Sequence, residues 1–141
     1  MNDVPQTLAE AYLNTTRRLP DKEAIVSADG RRYTYAEVQS EVERLATALH
    51  VLGCEPGDRV AVWLANCPEW VFAEFACALL GLVIVPINAR FRADEAAYVL
   101  NSGRAKVLLM QPSFLSNNYL ERLQEIAGGP LGSGNEAEIA A

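Results

Sequence analysis

Residues 59–90 read RVAVWLANCPEWVFAEFACALLGLVIVPINAR, and this stretch decides the fold. An apolar, β-branched segment at residues 60–64 predicts a strand. A second segment at residues 83–87 is apolar on both faces and predicts a central strand covered by helices. The residues between them predict a helix that begins near Pro68 and ends at Gly81. A strand, a helix and a strand in this order favour a parallel βαβ unit.

Polar residues follow both predicted strands, at the edge of the sheet where α/β proteins bind ligands. Asn66 follows the first strand, and Asn88 and Arg90 follow the second. Asn66 is also suited to cap the helix that begins near Pro68, because its side chain accepts hydrogen bonds from the free N–H groups of a first helical turn. The two strand ends are therefore candidates either for a ligand site or for simple helix capping.

Two capping boxes predict the helices that precede this stretch. Thr7 with Glu10 marks the start of the first helix, and Thr34 with Glu37 marks the start of the second. The second helix ends near Gly53, which suits the left-handed residue that follows a helix. This helix presents one apolar stripe. The members of the stripe are Val38, Val42, Leu45, Leu49 and Leu52.

A β-hairpin is predicted between these two helices, at residues 24–28 and 31–35. The two segments are joined by Asp29 and Gly30, both of which tolerate positive φ angles. This pair predicts a two-residue turn of type I′.

The residues that follow continue the alternation, with a helix at residues 93–103, a strand at residues 106–110 and a helix at residues 117–126. The predicted fold class is therefore α/β, a largely parallel sheet flanked by helices with an early β-hairpin. One α/β domain is expected at residues 1–127. Residues 128–141 are expected to be a flexible, glycine-rich tail or the end of a truncated sequence.

Composition and charge argue against several classes of partner. The 141 residues are 50% hydrophobic and carry a net charge of −6, so the chain should fold and should not bind nucleic acid, which needs clustered Lys and Arg. The most membrane-like run, residues 75–87, is shorter than the roughly 20 residues of a membrane span. No secretory signal is visible, and Cys54, Cys67 and Cys77 lack metal-binding or redox spacing. Reduced thiols and a cytoplasmic location are expected.

The order and spacing of these motifs resemble the N-terminal part of the AMP-forming acyl-CoA synthetases, the adenylate-forming ligases that activate carboxylic acids. The likeness covers residues 7–126. It comprises a Thr-Tyr-x-Glu segment, a Gly-Asp-Arg-Val strand start, an Asn-x-Pro-Glu helix start, a Gly, and a Val-Pro-x-Asn strand exit followed by Arg. The matching residues are Thr34, Tyr35, Glu37, Gly57, Asp58, Arg59, Val60, Asn66, Pro68, Glu69, Gly81, Val85, Pro86, Asn88 and Arg90.

The resemblance implies the N-terminal subdomain of an enzyme that ligates CoA to a carboxylic acid through an acyl-adenylate. The parent enzyme would use ATP, Mg and CoA and release AMP and pyrophosphate. The family's phosphate-binding loop, a Ser/Thr/Gly-rich segment ending in Lys, and its C-terminal catalytic lysine have no match here. The chain is therefore expected to be an inactive fragment that binds no cofactor tightly by itself. Its expected partners are the remainder of the ligase domain and, in the full enzyme, the carboxylic-acid substrate.

Two other functions remain open from the sequence. The chain could be a free-standing α/β module that binds a small ligand at its strand ends. It could instead be an interaction subunit that docks onto a separately encoded remainder. A fragment of a larger domain should expose an apolar face, and a homodimer through that face is a further expectation.

Arg90 is the candidate binding residue. The resemblance implies that it approaches the phosphates of the nucleotide portion of CoA, a role that suits the fixed charge and forked donors of arginine. A surface ion pair with Asp94 or Glu95 is an equally open role, and Arg92 could share either of them. No catalytic or metal-binding residue is assigned. His50, the only histidine, is expected to be structural or exposed.

Overall fold

The computed structural model describes residues 5–128, in which helices and strands alternate. Their order confirms the α/β class and the early hairpin. Within the described residues, no helix combines the length and the apolar character needed to cross a bilayer. The predicted tail at residues 128–141 lies outside the described residues, apart from Gly128.

The elements are α1 (Leu8–Arg18), β1 (Glu23–Val26), β2 (Arg32–Thr34), α2 (Tyr35–Val51), β3 (Arg59–Trp63), α3 (Pro68–Leu80), β4 (Val83–Pro86), α4 (Ala93–Gly103), β5 (Val107–Met110), β6 (Ser113–Phe114), β7 (Asn117–Asn118) and α5 (Tyr119–Ala127).

The described chain divides into two compact units. The helical unit comprises residues 5–56 and 67–82, and it contains α1, α2, α3 and the hairpin of β1 and β2. The sheet unit comprises residues 57–66 and 83–128, and it contains β3 to β7 with α4 and α5. In the helical unit α2 packs against α3. The predicted stripe of α2 is buried, except that Leu52 at the helix end is partly exposed.

Both predicted helix starts are confirmed. Thr34 Oγ1 accepts from the Glu37 N–H at 3.3 Å, and the Glu37 carboxylate accepts from the Thr34 N–H at 2.7 Å, so the capping box of α2 is complete. The bond from the Thr34 N–H also lowers the pKa of Glu37. At the start of α1, Thr7 accepts from the Glu10 N–H at 3.1 Å. The Glu10 carboxylate accepts from the N–H of Gln6 rather than that of Thr7, so this box is only half formed.

The early hairpin is confirmed, but its turn differs from the prediction. The Ser27 N–H donates to the Arg31 carbonyl oxygen at 2.8 Å, which leaves residues 28–30 as the loop. Within this loop only Gly30 has a positive φ, at 89°. The two-residue type I′ turn is therefore wrong, because such a turn needs positive φ at both central residues. Asp29 instead uses its carboxylate to accept from the Arg31 N–H at 3.1 Å, which stabilises the longer loop.

Helix α3 begins at a cap that the sequence does not predict. Its N-cap is Cys67, which makes no side-chain capping bond, and Pro68 is the first helical residue. The prediction that Asn66 caps this helix is wrong, and Asn66 is exposed before the cap. A proline in the first turn removes one of the free N–H groups, so a capping side chain matters less here. Gly81 ends the helix at φ 67°, as predicted.

The sheet unit is built on three parallel strands in the order β4, β3, β5. Parallel pairing of β3 with β4 confirms the predicted βαβ connection. Strand β3 is the central one, and its residues 60–63 are fully buried. The prediction of a central strand at residues 83–87 is wrong for the described residues, because β4 lies at an edge. Pro86 is at its end, and an edge strand is where a proline is tolerated.

Helices α4 and α5 pack on this sheet through one apolar cluster. Its buried members are Ala61, Trp63, Ile87, Ala96 and Tyr119. Gly103, in the last turn of α4, lies so near β4 that a Cβ atom there would be 3.0 Å from Cγ1 of Val85. The left-handed residue that follows the helix is Arg104, at φ 48°. Glycine is thus used for close packing here and not for the helix cap.

A short hairpin of β6 and β7 lies between β5 and α5, where the sequence predicts only a helix from residue 117. It pairs residues 113–114 with residues 117–118. Leu115, in its turn, has a φ of 53°, a conformation that turn signals assign to Gly or Asn. Helix α5 consequently begins two residues later than predicted, at Tyr119.

Tyr12 of α1 buries a hydroxyl group that has no hydrogen-bond partner among the described residues. The residue is 4% exposed, and its ring stacks on Phe75 with the centroids 4.2 Å apart. Burial, followed by the charge of Glu43, raises the pKa of Tyr12 to about 12. An unpaired hydroxyl loses on folding the bonds that it makes to water in the unfolded chain.

We expect Tyr12→Phe to leave the free energy of unfolding unchanged or to raise it by about 1 kcal/mol, because the variant keeps the stacked ring and removes the unpaired hydroxyl. Tyr12→Ala provides the contrast and should lower it by about 3 to 5 kcal/mol through lost packing. Urea unfolding followed by circular dichroism measures both changes. A loss of more than about 1 kcal/mol in Tyr12→Phe would mean that the hydroxyl has a partner after all.

Candidate functional site

The carboxyl ends of β3, β4 and β5 lie at one edge of the sheet, because the three strands are parallel. In α/β proteins this edge is the usual position of a ligand. The segment that leaves β4 contains two of the polar residues singled out in the sequence, Asn88 and Arg90. Residues 88–91 are termed the Arg90 loop.

Two buried aromatic residues hold the Arg90 loop and are termed the aromatic pair. The Trp63 Nε1–H donates to the Asn88 carbonyl oxygen at 3.1 Å, and the Tyr119 hydroxyl donates to the Ala89 carbonyl oxygen at 2.6 Å. The two rings stack with centroids 4.4 Å apart and an interplanar angle of 14°. Both residues are 0% exposed. The hydroxyl of a tyrosine is protonated and able to donate at neutral pH, and burial raises the pKa of Tyr119 further above this range.

Asn88 folds the loop on itself. Its Oδ1 accepts from the Arg90 N–H at 2.9 Å, an Asx turn. Its carbonyl oxygen accepts from the Phe91 N–H at 3.0 Å in addition to the bond from Trp63. The backbone on both sides of Arg90 is therefore bonded, and Asn88 adds hydrogen bonds inside the loop to those from the aromatic pair.

Arg90 itself is exposed. Within residues 5–128 its guanidinium takes part in none of the ion pairs. The pair with Asp94 or Glu95 does not form, and the Glu95 carboxylate instead accepts from the Arg92 N–H at 2.9 Å at the start of α4. Arg90 thus presents a forked set of donors at the carboxyl edge of the sheet. Its role toward the phosphates of CoA stays a prediction.

Gln111 braces the same edge and was missed by the sequence interpretation. Its Oε1 accepts from the Ala65 N–H at 3.1 Å, and its Nε2 donates to the Ser113 carbonyl oxygen at 2.7 Å. One side chain therefore joins the segment that leaves β3 to the segment that leaves β5. The sequence signal that could have identified Gln111 is its position directly after a predicted parallel strand.

His50 does not belong to this edge. It lies in the last turn of α2, within the helical unit, and is exposed as expected. No partner that would orient an imidazole for catalysis is bonded to it among the described residues.

The amino edge of the sheet is closed by contacts around Asp58. Its carboxylate pairs with the Lys106 ammonium at 2.5 Å, and its carbonyl oxygen accepts from the Val83 N–H at 2.8 Å. The Lys106 N–H donates to the Arg59 carbonyl oxygen at 2.8 Å. The Gly-Asp-Arg-Val segment therefore has a structural role, because it ties the starts of all three strands together.

The three cysteines are free thiols. Burial, together with a hydrogen bond to Glu69, raises the pKa of the Cys67 thiol to about 11. Burial, with a contribution from Cys54, raises the pKa of Cys77 to about 11. A helix start commonly lowers the pKa of a thiol, but at Cys67 burial dominates. This residue is therefore a poor nucleophile at neutral pH.

Comparison with known proteins identifies the family. Residues 13–134 match the family described as AMP-binding enzyme. The chain is 36% identical to the crotonobetaine/carnitine–CoA ligase of Salmonella paratyphi A over 113 residues, which are 77% of this chain and 22% of that ligase. The structure of a fatty acyl-CoA synthetase from Mycobacterium tuberculosis matches with a TM-score of 0.69 and 32% identity, over 72% of this chain and 20% of that one. The N-terminal subdomain of NpsA from Klebsiella oxytoca matches with a TM-score of 0.71 and 26% identity, over 79% of this chain and 29% of that one.

The chain therefore belongs to the AMP-binding enzyme family. Its likeness to the N-terminal part of the AMP-forming acyl-CoA synthetases is confirmed. Of the lengths of three curated relatives that it matches, the chain spans 20%, 22% and 25%.

Because the thiolate is the reacting form, we expect Cys67 to react with iodoacetamide at pH 8 on the order of 100-fold more slowly than an unstructured cysteine. The folded-state pKa lies above the unfolded value, so this residue stabilises the fold below about pH 9. That contribution should fall as the pH rises toward about 11. Peptide mapping by mass spectrometry measures the rate at which iodoacetamide alkylates Cys67 at each pH. The chain unfolded in urea is the control. A rate that levels off near pH 8.5 would contradict the raised pKa.

Proposed function

We propose that this chain forms the N-terminal part of an ATP-dependent acyl-CoA ligase. The ligase would join a carboxylic acid to CoA through an acyl-adenylate and release AMP and pyrophosphate. The observation that carries the proposal is the match of residues 13–134 to the AMP-binding enzyme family in a chain that spans only 22% of a related CoA ligase. In this proposal the chain is scaffold, and it is inactive by itself.

The described residues do not fit the phosphates of ATP. A phosphate cradle needs several backbone N–H groups from a glycine-rich loop, together with a lysine. The described glycines with positive φ, such as Gly30, Gly53 and Gly81, form turns or end helices. We therefore derive no adenylation step from this chain, and we propose that ATP and Mg bind to the remainder of the ligase domain.

Arg90 does fit a phosphate of CoA. Its guanidinium carries a fixed charge and can donate two parallel hydrogen bonds to one phosphate. It is exposed, it forms no ion pair with the described residues, and its loop follows a parallel strand. In the proposed enzyme this residue holds and orients the nucleotide portion of CoA during thioester formation.

The remainder of the ligase domain is the proposed partner. In the sheet unit, Val83 on the edge strand is 46% exposed and Tyr98 on α4 is 73% exposed. Exposed apolar residues of this kind support a missing partner surface. A homodimer is the alternative occupant, and sedimentation of the isolated chain distinguishes the two. The free thiols support a cytoplasmic location.

We expect the isolated chain to catalyse no carboxylate-dependent exchange of pyrophosphate into ATP, because residues 5–128 contain no phosphate loop to stabilise the transferring phosphoryl group. A chimera in which residues 5–128 replace the matching segment of the Salmonella ligase should recover the exchange with that ligase's own carboxylic acid. Incorporation of labelled pyrophosphate measures both activities.

The control is the same ligase with its matching segment deleted, which should be inactive. Exchange by the isolated chain would place the catalytic groups within it and overturn the scaffold role. A folded chimera that forms no acyl-CoA would contradict the proposed activity. Tight binding of CoA or AMP by the isolated chain in a calorimetric titration would favour a free-standing binding module.

In the active chimera, Arg90→Ala should raise the KM for CoA by about tenfold or more, since a hydrogen bond to a charged group is lost. Pyrophosphate exchange, which does not require CoA, should be unchanged. Arg90→Lys keeps the charge without the fork and should give an intermediate KM. The matched control is Arg44→Ala, which removes an arginine paired with Glu41 on the surface of α2. An unaltered KM in Arg90→Ala would exclude a role in CoA binding.

A further inference from the structure

We infer that the aromatic pair, Trp63 and Tyr119, positions Arg90 for binding a phosphate ligand, an inference that rests on the proposed function of Arg90. Among the described residues, their hydrogen bonds go to the loop backbone and not to the Arg90 guanidinium. They act on the backbone of the Arg90 loop, and we therefore describe them as positioning residues.

The aromatic pair fixes the backbone of the Arg90 loop. The two donors bond to successive carbonyl oxygens, those of Asn88 and Ala89, at 3.1 Å and 2.6 Å. The rings that carry these donors are fully buried and stacked on each other, so their positions are set by the core. Ile87 before the loop and Phe91 at its end pack on the same cluster. The loop is therefore anchored at both ends and along its backbone.

The residue types of the aromatic pair also indicate a role at the loop. An apolar core needs only apolar side chains, and phenylalanine and leucine are apolar without carrying a polar donor. Tryptophan and tyrosine each add one N–H or O–H donor, and here both donors are used on one two-residue segment. Neither bond belongs to the ladder between strands or to a helix cap. Both bonds act on the loop that presents Arg90.

Such bracing is expected to favour binding. A loop that is already ordered does not lose conformational freedom when a ligand arrives, so more of the contact energy appears as affinity. The backbone N–H of Arg90 also donates a hydrogen bond, to Asn88 Oδ1. Only the Arg90 side chain is then left to change conformation when a ligand binds. Loss of either aromatic donor should thus weaken phosphate binding although Arg90 is intact.

The test uses Tyr119→Phe, which keeps the stacked ring and removes only the hydroxyl, and Trp63→Phe as an independent second variant. In the 141-residue chain, hydrogen exchange measured by NMR should accelerate about fivefold to tenfold at the Arg90 and Phe91 amides, the factor that one hydrogen bond contributes. The amides of Ala61 and Val62 should not change, which shows that the fold is retained. Tyr98→Phe, which removes an exposed hydroxyl in the same unit, is the matched control.

The same variants in the active chimera should raise the KM for CoA and leave pyrophosphate exchange unaltered. If Arg90→Ala raises this KM but the aromatic variants change neither loop exchange nor KM, the inference is overturned and the proposed function stands. If the aromatic variants accelerate loop exchange while Arg90→Ala leaves the KM unchanged, positioning of the loop is supported and the proposed role of Arg90 fails. Acceleration spread over all amides would show a role in overall stability alone and would overturn the inference.

Discussion

Parallel pairing of β3 with a strand on each side is the constraint on which the sheet unit depends. It brings three strand starts to one edge and three strand ends to the other, and the two edges use their polar groups differently. At the amino edge, Asp58 and Lys106 pair with each other and tie the strands together. At the carboxyl edge, Asn88 and Gln111 are used to shape the exits. Of the charged residues at the two edges named here, Arg90 is the one that forms no ion pair within residues 5–128.

Features decided by neighbouring residues could be predicted from the sequence. The reciprocal bonds of Thr34 and Glu37 need only a spacing of three residues, and the left-handed Gly81 needs only a glycine after an apolar helix. Where two local preferences compete, prediction fails. Pro68 suits the first turn of a helix, and the helix is capped at Cys67 although Asn66 has the better capping side chain. Asp29 likewise forms a side-chain bond to the backbone in place of the positive φ that a type I′ turn requires.

Features decided by distant residues were not predictable. Strand order depends on which partners are available, so an apolar strand that reads as central can lie at the edge, as β4 does. The hairpin around Leu115 has no glycine to mark it, and its conformation comes from its surroundings. Arg90 could be predicted as a candidate binding residue because it follows a predicted strand and matches an arginine in a motif of the family. The bonds that Trp63 and Tyr119 make to its loop join residues 25 and 30 positions apart in the chain, and no local pattern encodes them.

The missing side chain of Gly103 limits how the chain between β4 and α4 can vary. Its close approach to Val85 places the far end of α4 beside the strand from which the connection departs. The helix has 11 residues and so measures about 16 Å, which fixes where its first turn must lie. The distance between the end of the strand and the start of the helix is therefore set, and the connection has to span that distance. A substitution in the connection keeps its length, whereas an insertion or a deletion must be absorbed between these two ends.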